Sequence, residues 1–330
     1  MRVLVLGGTN FIGPYVVRGL AQRGHDVTIF HRGETEVDLP SDVCHVHGDF
    51  ASFANYVDAL RTLSPEVVLD MVPFREEDVE RLKAFKGVAR RVVAISSGDV
   101  YRAFGRIWRT EPGPPDPIPL TEDSPLREKL SNAGLDYNKT AVERGIMGDQ
   151  DLIATIVRAP ATHGPGDFRH RLYQYIKRID DGRPAILLEK DLASWQWARG
   201  YVEDVAHAIV LTVTDERAAG RIYNVANLTA FTESEWVRQI ASVVGWQGNV
   251  IAASMEQLPA NLHHVFDLQQ QYAVDSGRIR GELGYAEITS FDEALRRTIE
   301  WERANPPEET DPAQFDYAAE DAALAKLEAT

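Results

Sequence analysis

A short apolar run near the start of the chain is followed by a glycine-rich segment and then by a stretch of helical length. Residues 3–6 read VLVL, residues 7–13 read GGTNFIG, and residues 14–24 read PYVVRGLAQRG. A strand, a glycine loop and a helix in this order place backbone N–H groups and the positive end of the helix dipole around a phosphate. The order predicts a dinucleotide-binding βα unit, with a purely structural turn as the alternative.

Each small residue of this loop has a predicted backbone role. Gly7 allows the tight turn, Gly8 removes a side chain from the path of the ligand, and Gly13 lets the helix pack close to the strand. Asn10 stands where a further glycine is usual, and we expect it to adopt a positive φ. Pro14 fits the first turn of the helix. The predicted loop contacts to a dinucleotide are Gly7, Gly8, Thr9, Asn10, Phe11, Ile12 and Gly13.

Short β-rich runs alternate with segments of helical length along the first half of the chain. This pattern predicts βαβ units and a Rossmann-like, doubly wound parallel sheet with helices on both faces, an α/β fold. The candidate strands are residues 3–6, 27–30, 43–46, 67–71, 92–95, 154–157 and 221–225.

The remaining segments carry weaker signals. Residues 103–125 are rich in proline and read as a surface loop or lid, either functional or a plain connection. Residues 202–213 and 291–301 have helical patterns, and Thr232 with Glu235 resembles a capping box. Residues 306–330 are acidic and rich in alanine, which predicts a peripheral helix or disorder.

Composition limits the classes of partner. The net charge of −15 argues against general binding to nucleic acid or to an anionic membrane surface. Cys44 is the only cysteine, so no intrachain disulfide is expected, and we expect its side chain to be buried. No cationic leader precedes the first strand and no apolar stretch approaches ~20 residues, which favours a cytoplasmic protein.

The end of the second predicted strand distinguishes the two nicotinamide cofactors. An acidic side chain there holds a ribose 2′-hydroxyl, whereas a basic one accommodates a 2′-phosphate. His31 and Arg32 stand at this place. They favour NADP(H), and NAD remains open if Arg32 is an ordinary surface cation.

Eight short stretches together resemble one known family, in order and in spacing: GGTNFIG, HGDF, AISSGDVY, RAPATHGPGD, RGYVEDVAHA, GRIYNVAN, ELGY and TIEW. They resemble the extended short-chain dehydrogenases/reductases, in the NAD-dependent epimerase/dehydratase branch. The resemblance implies a Rossmann domain over residues 1–165, to which residues 199–226 return. It also implies a smaller substrate domain over residues 166–198 and 227–305, a nicotinamide cofactor between the two, and a homodimer.

The family uses a serine or threonine, a tyrosine and a lysine for catalysis, and the resemblance assigns these roles to Ser97, Tyr137 and Lys139. The tyrosine exchanges a proton with the substrate oxygen, the lysine lowers the pKa of the tyrosine and holds the nicotinamide ribose, and the serine orients the oxygen. A free tyrosine has a pKa near ~10, so a neighbouring ammonium moves it in the useful direction.

The spacing of the tyrosine and the lysine departs from the family. The usual tyrosine lies four residues before the lysine, about 40° away around a helix, but that position is Leu135 here. Tyr137 lies two residues before Lys139, about 200° away on a continuous helix. Three interpretations are open. Tyr137 sits in the non-helical start of this helix, with Asn138 or Asp136 as the cap; or another group such as Tyr101 supplies the acid; or proton transfer is lost.

The resemblance assigns further residues to the cofactor. Asp49 in HGDF meets the adenine, although an aspartate that caps a helix is the alternative from the residues themselves. Pro160 and His163 lie in RAPATHGPGD, where the family often has a tyrosine beside the nicotinamide at position 163. A structural histidine is the alternative there.

On the substrate side, Arg199 matches the arginine that grips the substrate diphosphate in nucleotide-sugar members. A surface ion pair with Glu203 or Asp204 is the alternative. A second arginine of the family is missing, and His263 and His264 stand near its place, with His264 as a predicted substrate contact. The adjacent pair offers no third ligand, so no metal centre is expected. Residues 167–178 either line the mouth of the substrate site or form an ordinary amphipathic helix.

The residues and the resemblance together predict an NAD(P)-dependent oxidoreductase of epimerase/dehydratase type. It would transfer a hydride at a secondary alcohol or ketone of a sugar-like or nucleotide-sugar substrate. The alternatives are a simple NADPH-dependent carbonyl reductase, or a non-catalytic protein that binds RNA or senses redox state on the same scaffold.

Overall fold

The computed structural model describes residues 1–35, 37–129 and 137–329. Within these ranges the chain alternates strands and helices through its first half, as the sequence predicts. All seven predicted strands are present, with ends within two residues of the prediction. Four further short strands, which were not predicted, lie after residue 160. The strands are β1 (Arg2–Leu6), β2 (Asp26–His31), β3 (Cys44–His47), β4 (Val67–Asp70), β5 (Arg91–Ser97), β6 (Ala154–Ala159), β7 (Ala161–His163), β8 (Ala185–Glu189), β9 (Arg199–Tyr201), β10 (Ile222–Asn224) and β11 (Asn249–Ala253).

Seven strands form the central sheet, in the order β3, β2, β1, β4, β5, β6 and β10. Every neighbouring pair in it is parallel. The direction of strand addition reverses between β1 and β4, and ligands of open α/β sheets bind outside the carboxyl ends of the strands at such a point. The fold is therefore the predicted doubly wound α/β sheet.

The helices cover both faces of this sheet. They are α1 (Ile12–Gln22), α2 (Val57–Thr62), α3 (Val79–Lys83), α4 (Arg102–Ile107), α5 (Lys139–Met147), α6 (Tyr173–Asp180), α7 (Lys190–Ser194), α8 (Val202–Thr214), α9 (Glu233–Val244), α10 (Gly277–Leu283), α11 (Phe291–Ala304) and α12 (Tyr317–Glu328). Helices α1, α8 and α10 share one apolar core with the sheet, and α2, α3 and α5 share the other. Along the described part of the chain, no helix is long and apolar enough to cross a membrane.

A further apolar core lies away from the sheet. Helices α6, α9 and α11 and strand β8 bury their apolar side chains together there. The capping box of Thr232 and Glu235 begins α9, as predicted. The acidic tail contains α12, which docks on this region because Arg178 and Glu320 form a buried ion pair with Nη2 and Oε1 2.7 Å apart. Of the two expectations for the tail, the peripheral helix is the one observed.

The proline-rich residues 103–125 form an irregular segment after α4, in agreement with the surface loop that the sequence predicts. The stretch runs through α4, and its carboxylates then bind it back to the protein. Asp116 accepts hydrogen bonds from Arg102 and Arg106, with Nε to Oδ2 distances of 3.1 Å in both cases. Leu120 is buried in a core with aromatic residues. The prolines stop regular structure here, but buried ion pairs hold the segment in place.

The prediction that Cys44 is buried is wrong, because its side chain is exposed. It lies on β3, which is the edge strand of the sheet. The pattern of apolar neighbours did not distinguish an edge strand from a central one. Val43, just before the strand, is buried as the pattern suggested.

The glycine loop has a different backbone from the one predicted. Gly7 and Gly8 have φ of 88° and 96°, as a tight turn requires, but the positive φ expected of Asn10 belongs to Phe11, at 47°. A Cβ on Gly8 would meet Val5 and Val17 at 3.1 Å, so the missing side chain makes room for the core rather than for a ligand.

Gly13 performs its predicted role in packing, which leads to a test of stability. A Cβ there would lie 2.6 Å from the Cα and the carbonyl carbon of Gly8, and this contact is with backbone that cannot rotate away. We expect Gly13→Ala to lower the free energy of unfolding by about 3 kcal/mol or more, measured by urea denaturation. Gly281→Ala is the control, because open space surrounds Gly281 within α10. It should stabilise the protein by up to about 1 kcal/mol. Equal effects of the two substitutions would contradict the packing argument.

Candidate active site

The glycine loop forms one wall of a cavity of about 470 Å³ at the carboxyl ends of the central strands, called here the loop cavity. Most residues predicted to contact a cofactor line it. They are Gly7, Gly8, Thr9, Asn10, Phe11, Ile12, His31, Arg32, Lys139 and Pro160. The Gly7 N–H donates to the carbonyl oxygen of Phe30 at 2.9 Å, so the backbone N–H groups available to a pyrophosphate are those further along the loop and at the N-terminus of α1. The size and donors of the loop cavity fit a dinucleotide.

Three predicted cofactor contacts, Gly13, Asp49 and His163, do not line the loop cavity. Gly13 packs behind the loop, as described above. Asp49 caps a 3₁₀ turn, with its Oδ1 accepting the N–H of Ala51 at 2.9 Å, which is the alternative that the sequence allowed. Neither Gly13 nor Asp49 is among the described residues that line the loop cavity.

The structure places His163, predicted to lie beside the nicotinamide, away from the residues that line the loop cavity. Its side chain is buried at a separate cavity of about 620 Å³, and its Nδ1 lies 3.1 Å from Oγ1 of Thr298. Its ring packs edge-on against Trp236. Burial lowers the pKa of His163 to about 3, so the imidazole is neutral at physiological pH. The structural histidine is therefore the alternative that holds.

The end of β2 presents basic side chains to the loop cavity. His31 is buried, and its Nδ1 accepts the N–H of Gly33 at 3.2 Å. Arg32 and Glu34 form an ion pair at 3.0 Å, with more than half of each side chain exposed. An exposed pair of this kind contributes little stability, so Arg32 can exchange Glu34 for an anionic ligand at low cost.

Helix α5 begins at Lys139, which is almost fully buried beneath the loop cavity. Asn138 caps the helix by accepting the N–H of Ala141 through its side chain at 3.3 Å. Lys139 Nζ donates to the carbonyl oxygen of Ile95 at 2.8 Å and lies 4.8 Å from the centre of the Phe74 ring. Burial lowers the pKa of Lys139 to about 8, so the amine stays mostly protonated at neutral pH.

Tyr137 precedes the cap and is outside the helix, which removes the difficulty of the spacing. Its ring lies 5.8 Å from Lys139 Nζ, and both side chains line the loop cavity. Leu135 and Asp136 lie outside the described residues. The geometry of the first interpretation is therefore confirmed: a non-helical start, capped by Asn138, brings Tyr137 and Lys139 together.

Asp99 is a residue that the sequence analysis missed. The Tyr137 hydroxyl donates to its Oδ2 at 2.6 Å, and its Oδ1 is buried without a hydrogen-bond partner. Burial raises the pKa of Asp99. Burial and the charge of Asp99 raise the pKa of Tyr137, which is opposite to the lowering expected from Lys139. The position of Asp99, two residues after Ser97, was the signal available in the sequence. Only the fold shows that the Asp99 carboxylate faces Tyr137.

Ser97 stands where two cavities meet. It ends β5, and its Oγ accepts the N–H of Asp99 at 3.3 Å. Ser97, Tyr137 and Pro160 line both the loop cavity and a second cavity of about 340 Å³, called here the central cavity. Tyr272, which the sequence did not indicate, also lines the central cavity, and its hydroxyl donates to the carbonyl oxygen of Gly98.

Tyr101 does not fit the alternative role of acid. Its side chain is fully buried, its hydroxyl donates to Asn224 at 2.6 Å, and it accepts a hydrogen bond from Arg158 at 2.9 Å. Arg158 is in turn paired with Glu143 at 2.7 Å. Burial raises the pKa of Tyr101 to about 12. Its partners make it part of the structural core of this region.

Arg199 lies at another cavity, of about 460 Å³, called here the outer cavity. Its Nη2 pairs with Glu233 at 2.5 Å, and its guanidinium lies over the Trp236 ring at 4.7 Å. The alternative of an ion pair with Glu203 or Asp204 is therefore wrong. The sequence could not indicate Glu233, because it lies 34 positions away on α9.

The arginine side chains that line the outer cavity each have a carboxylate partner. His264 Nε2 lies 3.4 Å from Glu189, while His263 points to the carbonyl oxygen of Leu258. The two adjacent histidines therefore do not converge on one ion. The arginine pairs of this cavity are Arg171 with Asp167, Arg178 with Glu320, and Arg199 with Glu233. The cations around the outer cavity are neutralised within the protein.

Residues of the segment 167–178 line the loop, central and outer cavities, as one interpretation predicted. The segment also contains the start of α6, whose apolar side chains are buried, as the other predicted. Arg169 and Arg171 border the central cavity, and Arg171 also borders the other two. Phe168 is exposed at the loop cavity and packs edge-on against Phe11. The three cavities thus follow one another from the glycine loop to α9.

These features define a doubly wound α/β protein with a tyrosine and a lysine beside a cavity that fits a dinucleotide. The chain belongs to the NAD dependent epimerase/dehydratase family, whose model matches residues 3–226. The resemblance of the short stretches is therefore confirmed.

Two relatives have different described roles. The chain is 24% identical over 238 residues to the chloroplast stem-loop binding protein of 41 kDa b of Arabidopsis thaliana, covering 68% of this chain and 58% of that protein. It is 27% identical over 264 residues to the 2′-dehydrokanamycin reductase of Streptomyces kanamyceticus, covering 78% and 70%. Among solved structures, MoeE5 in complex with UDP-glucuronic acid and NAD matches with a TM-score of 0.66 and 24% identity, over 92% of this chain and 99% of that one. At this identity the likeness shows the fold alone.

The position of Asp49 leads to a test that separates its two assigned roles. We expect Asp49→Ala to lower the free energy of unfolding by about 1 kcal/mol through loss of the cap. Asp49→Asn is the matched control and should preserve stability, since asparagine caps equally well. Urea denaturation and dinucleotide titration by fluorescence measure the two effects. A loss of dinucleotide affinity in both variants, with unchanged stability, would instead support the adenine contact.

Proposed function

We propose that this protein is an NAD(P)-dependent oxidoreductase of epimerase/dehydratase type. It acts at a secondary alcohol or ketone of a sugar-like substrate held in the central cavity. The observation that carries the proposal is the shared wall of the two cavities, on which Ser97 and Tyr137 face both. Bound in the loop cavity, a nicotinamide ring would accept or donate the hydride.

The proton is handled by the residues of the shared wall. Tyr137 gives a proton to a substrate carbonyl or takes one from a substrate hydroxyl, and Asp99 exchanges that proton through the 2.6 Å hydrogen bond. The raised pKa of Asp99 suits a carboxyl group that both accepts and returns a proton. Ser97 orients the substrate oxygen. Lys139 holds a ribose hydroxyl and supplies positive charge while it remains protonated.

The charge balance of the outer cavity supports a sugar-like group rather than a firmly held diphosphate. Arg199 is the family's diphosphate contact, but it is paired with Glu233. An incoming diphosphate has to displace the Glu233 carboxylate from Arg199. The buried carboxylate then loses its cation, and this cost opposes diphosphate binding. The second arginine of the family is absent from the sequence, and His264 Nε2 lies 3.4 Å from Glu189. We therefore favour a substrate recognised mainly through its hydroxyl groups.

An enzyme is favoured over an RNA-binding protein. The Arabidopsis relative is described as a stem-loop binding protein, but this chain carries a net charge of −15. Phosphate contacts require clustered lysine and arginine. The buried hydrogen bond between Tyr137 and Asp99 has a direct use in proton transfer and no evident use in binding RNA.

We extend the proposal to the organisation of the chain. The separate apolar cores support a Rossmann domain at residues 1–165 with 199–226 and a substrate domain at residues 166–198 and 227–305. The homodimer and the cytoplasmic location rest on the sequence arguments alone.

Replacement of Tyr137 tests the proposed function. The full-length protein is incubated with NAD⁺ or NADPH and a panel of substrates that includes UDP-glucose, dTDP-glucose and free keto sugars. Nicotinamide absorbance and product masses are followed. With the substrate that turns over, Tyr137→Phe should lower kcat by about 100-fold or more, because a positioned acid or base contributes at least that much. Asp99→Asn should have a similar effect, since an amide accepts the hydrogen bond but takes no proton.

Tyr173→Phe is the matched control, because this tyrosine lies at the start of α6 and packs against Phe315 away from the three cavities. It should leave kcat unchanged. Unchanged turnover by Tyr137→Phe would exclude the proposed proton transfer.

Arg32 tests the choice between the two cofactors. MoeE5 holds NAD, whereas His31 and Arg32 here support NADP(H). We expect Arg32→Ala to raise the Kd for NADPH about tenfold, through loss of a charge-assisted contact to the 2′-phosphate, and to change the Kd for NADH little. Fluorescence titration with both cofactors measures this. Arg32→Lys should retain most of the preference. A wild-type protein that binds NADH more tightly than NADPH would reject the preference for NADP(H).

A further inference from the structure

Three histidines meet at the edge of the central sheet. His31 ends β2, and His45 and His47 lie on the edge strand β3. His31 is directly opposite His47 in the parallel register. His45 and His47 are two residues apart on one strand, so their side chains point to the same face. The register of two neighbouring strands therefore gathers three imidazoles at one place.

The three rings are in contact with one another. His31 Nε2 lies 2.9 Å from His45 Nδ1, and the ring centres of His31 and His47 are 4.7 Å apart. One nitrogen from each ring can be chosen so that all three lie within 4.8 Å of one another. Nitrogen ligands at about 2.0–2.1 Å from a tetrahedral metal ion are roughly 3.3 Å apart. The nitrogen atoms therefore have to approach one another slightly to bind one ion, and the exposed rings of His45 and His47 can rotate to do so.

We propose that His31, His45 and His47 form a binding site for a divalent transition metal ion, with Zn²⁺ as the probe that defines it. Imidazole nitrogen is a preferred ligand of Zn²⁺, and three histidines with a water in the fourth position form a well-known kind of zinc site. Hard ions such as Mg²⁺ prefer oxygen ligands and are not expected to bind here. No metal centre was expected from the adjacent pair His263 and His264, and the sequence does not reveal that strand pairing brings His31, His45 and His47 together.

Metal binding changes the hydrogen bonds of His31 in a definite way. The ion replaces the proton shared by His31 Nε2 and His45 Nδ1. The neutral His31 ring then carries its proton on Nδ1, which now accepts the N–H of Gly33 at 3.2 Å. Gly33 has φ of 79° and is the residue that must turn away. Glycine has the conformational freedom for this movement.

The proposed metal site is separate from the proposed catalysis. His31 also lines the loop cavity, so a bound cation would place positive charge beside Arg32. Zinc binding is nevertheless measured without dinucleotide or substrate. Its failure would therefore leave the proposed oxidoreductase function intact, and the reverse also holds.

Calorimetric titration of the full-length, chelator-treated protein with ZnCl₂ tests the proposal. We expect one equivalent of Zn²⁺ to bind and MgCl₂ to give no such binding. The double variant His45→Ala/His47→Ala should bind Zn²⁺ at least about 100-fold more weakly, since loss of a single outer partner of a metal ligand already costs 10–100-fold. The control is His25→Ala/His207→Ala, which also removes two histidines but leaves the proposed site intact. Those histidines hydrogen-bond to the N-terminus and to Arg23, and the control should bind like the wild type.

A second measurement reports on the ligands themselves. Co²⁺ bound by three histidines and a water in tetrahedral geometry absorbs visible light much more strongly than octahedral Co²⁺. We expect the strong absorption in the wild type and its loss in His45→Ala/His47→Ala, with far-ultraviolet circular dichroism unchanged. Equal Zn²⁺ affinity in the two proteins, or no stoichiometric uptake by the wild type, would overturn the proposal.

Discussion

The hydrogen bond from Lys139 Nζ to the carbonyl oxygen of Ile95 holds the candidate site together. It joins the first residue of α5 to strand β5, and it gives the buried ammonium group of Lys139 a hydrogen-bond acceptor. Because the helix is fixed there, its cap lies at Asn138 and the chain just before it is free of helical geometry. That freedom lets Tyr137 reach Asp99, which follows the same strand β5. One buried donor therefore positions the whole shared wall of the loop and central cavities.

The sheet was predictable because each of its strands carries its own signal. Runs such as residues 3–6 and 92–95 are apolar enough to be buried on both faces, and parallel strands require that burial. Strands β7, β8, β9 and β11 were not predicted; they lie outside the central sheet, in two-stranded pairs, and β7 and β9 are only three residues long. The exposure of Cys44 was missed for a related reason: whether a strand is central or at an edge depends on the order of strands, which local pattern does not contain.

The candidate site was predictable only in part. The loop residues and Lys139 were found because motifs encode them within a few positions. Asp99, Glu233 and the true place of His163 were not, because each depends on a partner far along the chain: Tyr137, Arg199 and Thr298 respectively. The loop backbone shows a subtler limit. The strained φ lies at Phe11 rather than at Asn10, so residue preference identified the loop but not the residue that bears its strain.

The buried pair of Arg178 and Glu320 links the last helix to the outer cavity. Gln314, between α11 and α12, lines the same cavity. The carboxyl-terminal tail is thus a structural part of one compartment, although it lies far from the family-matched residues 3–226. Shortening the chain to its matched region, or fusing a tag close to α12, would leave the glycine loop untouched and alter the outer cavity. Sequence changes in this tail can therefore reshape the outer cavity without disturbing the loop cavity.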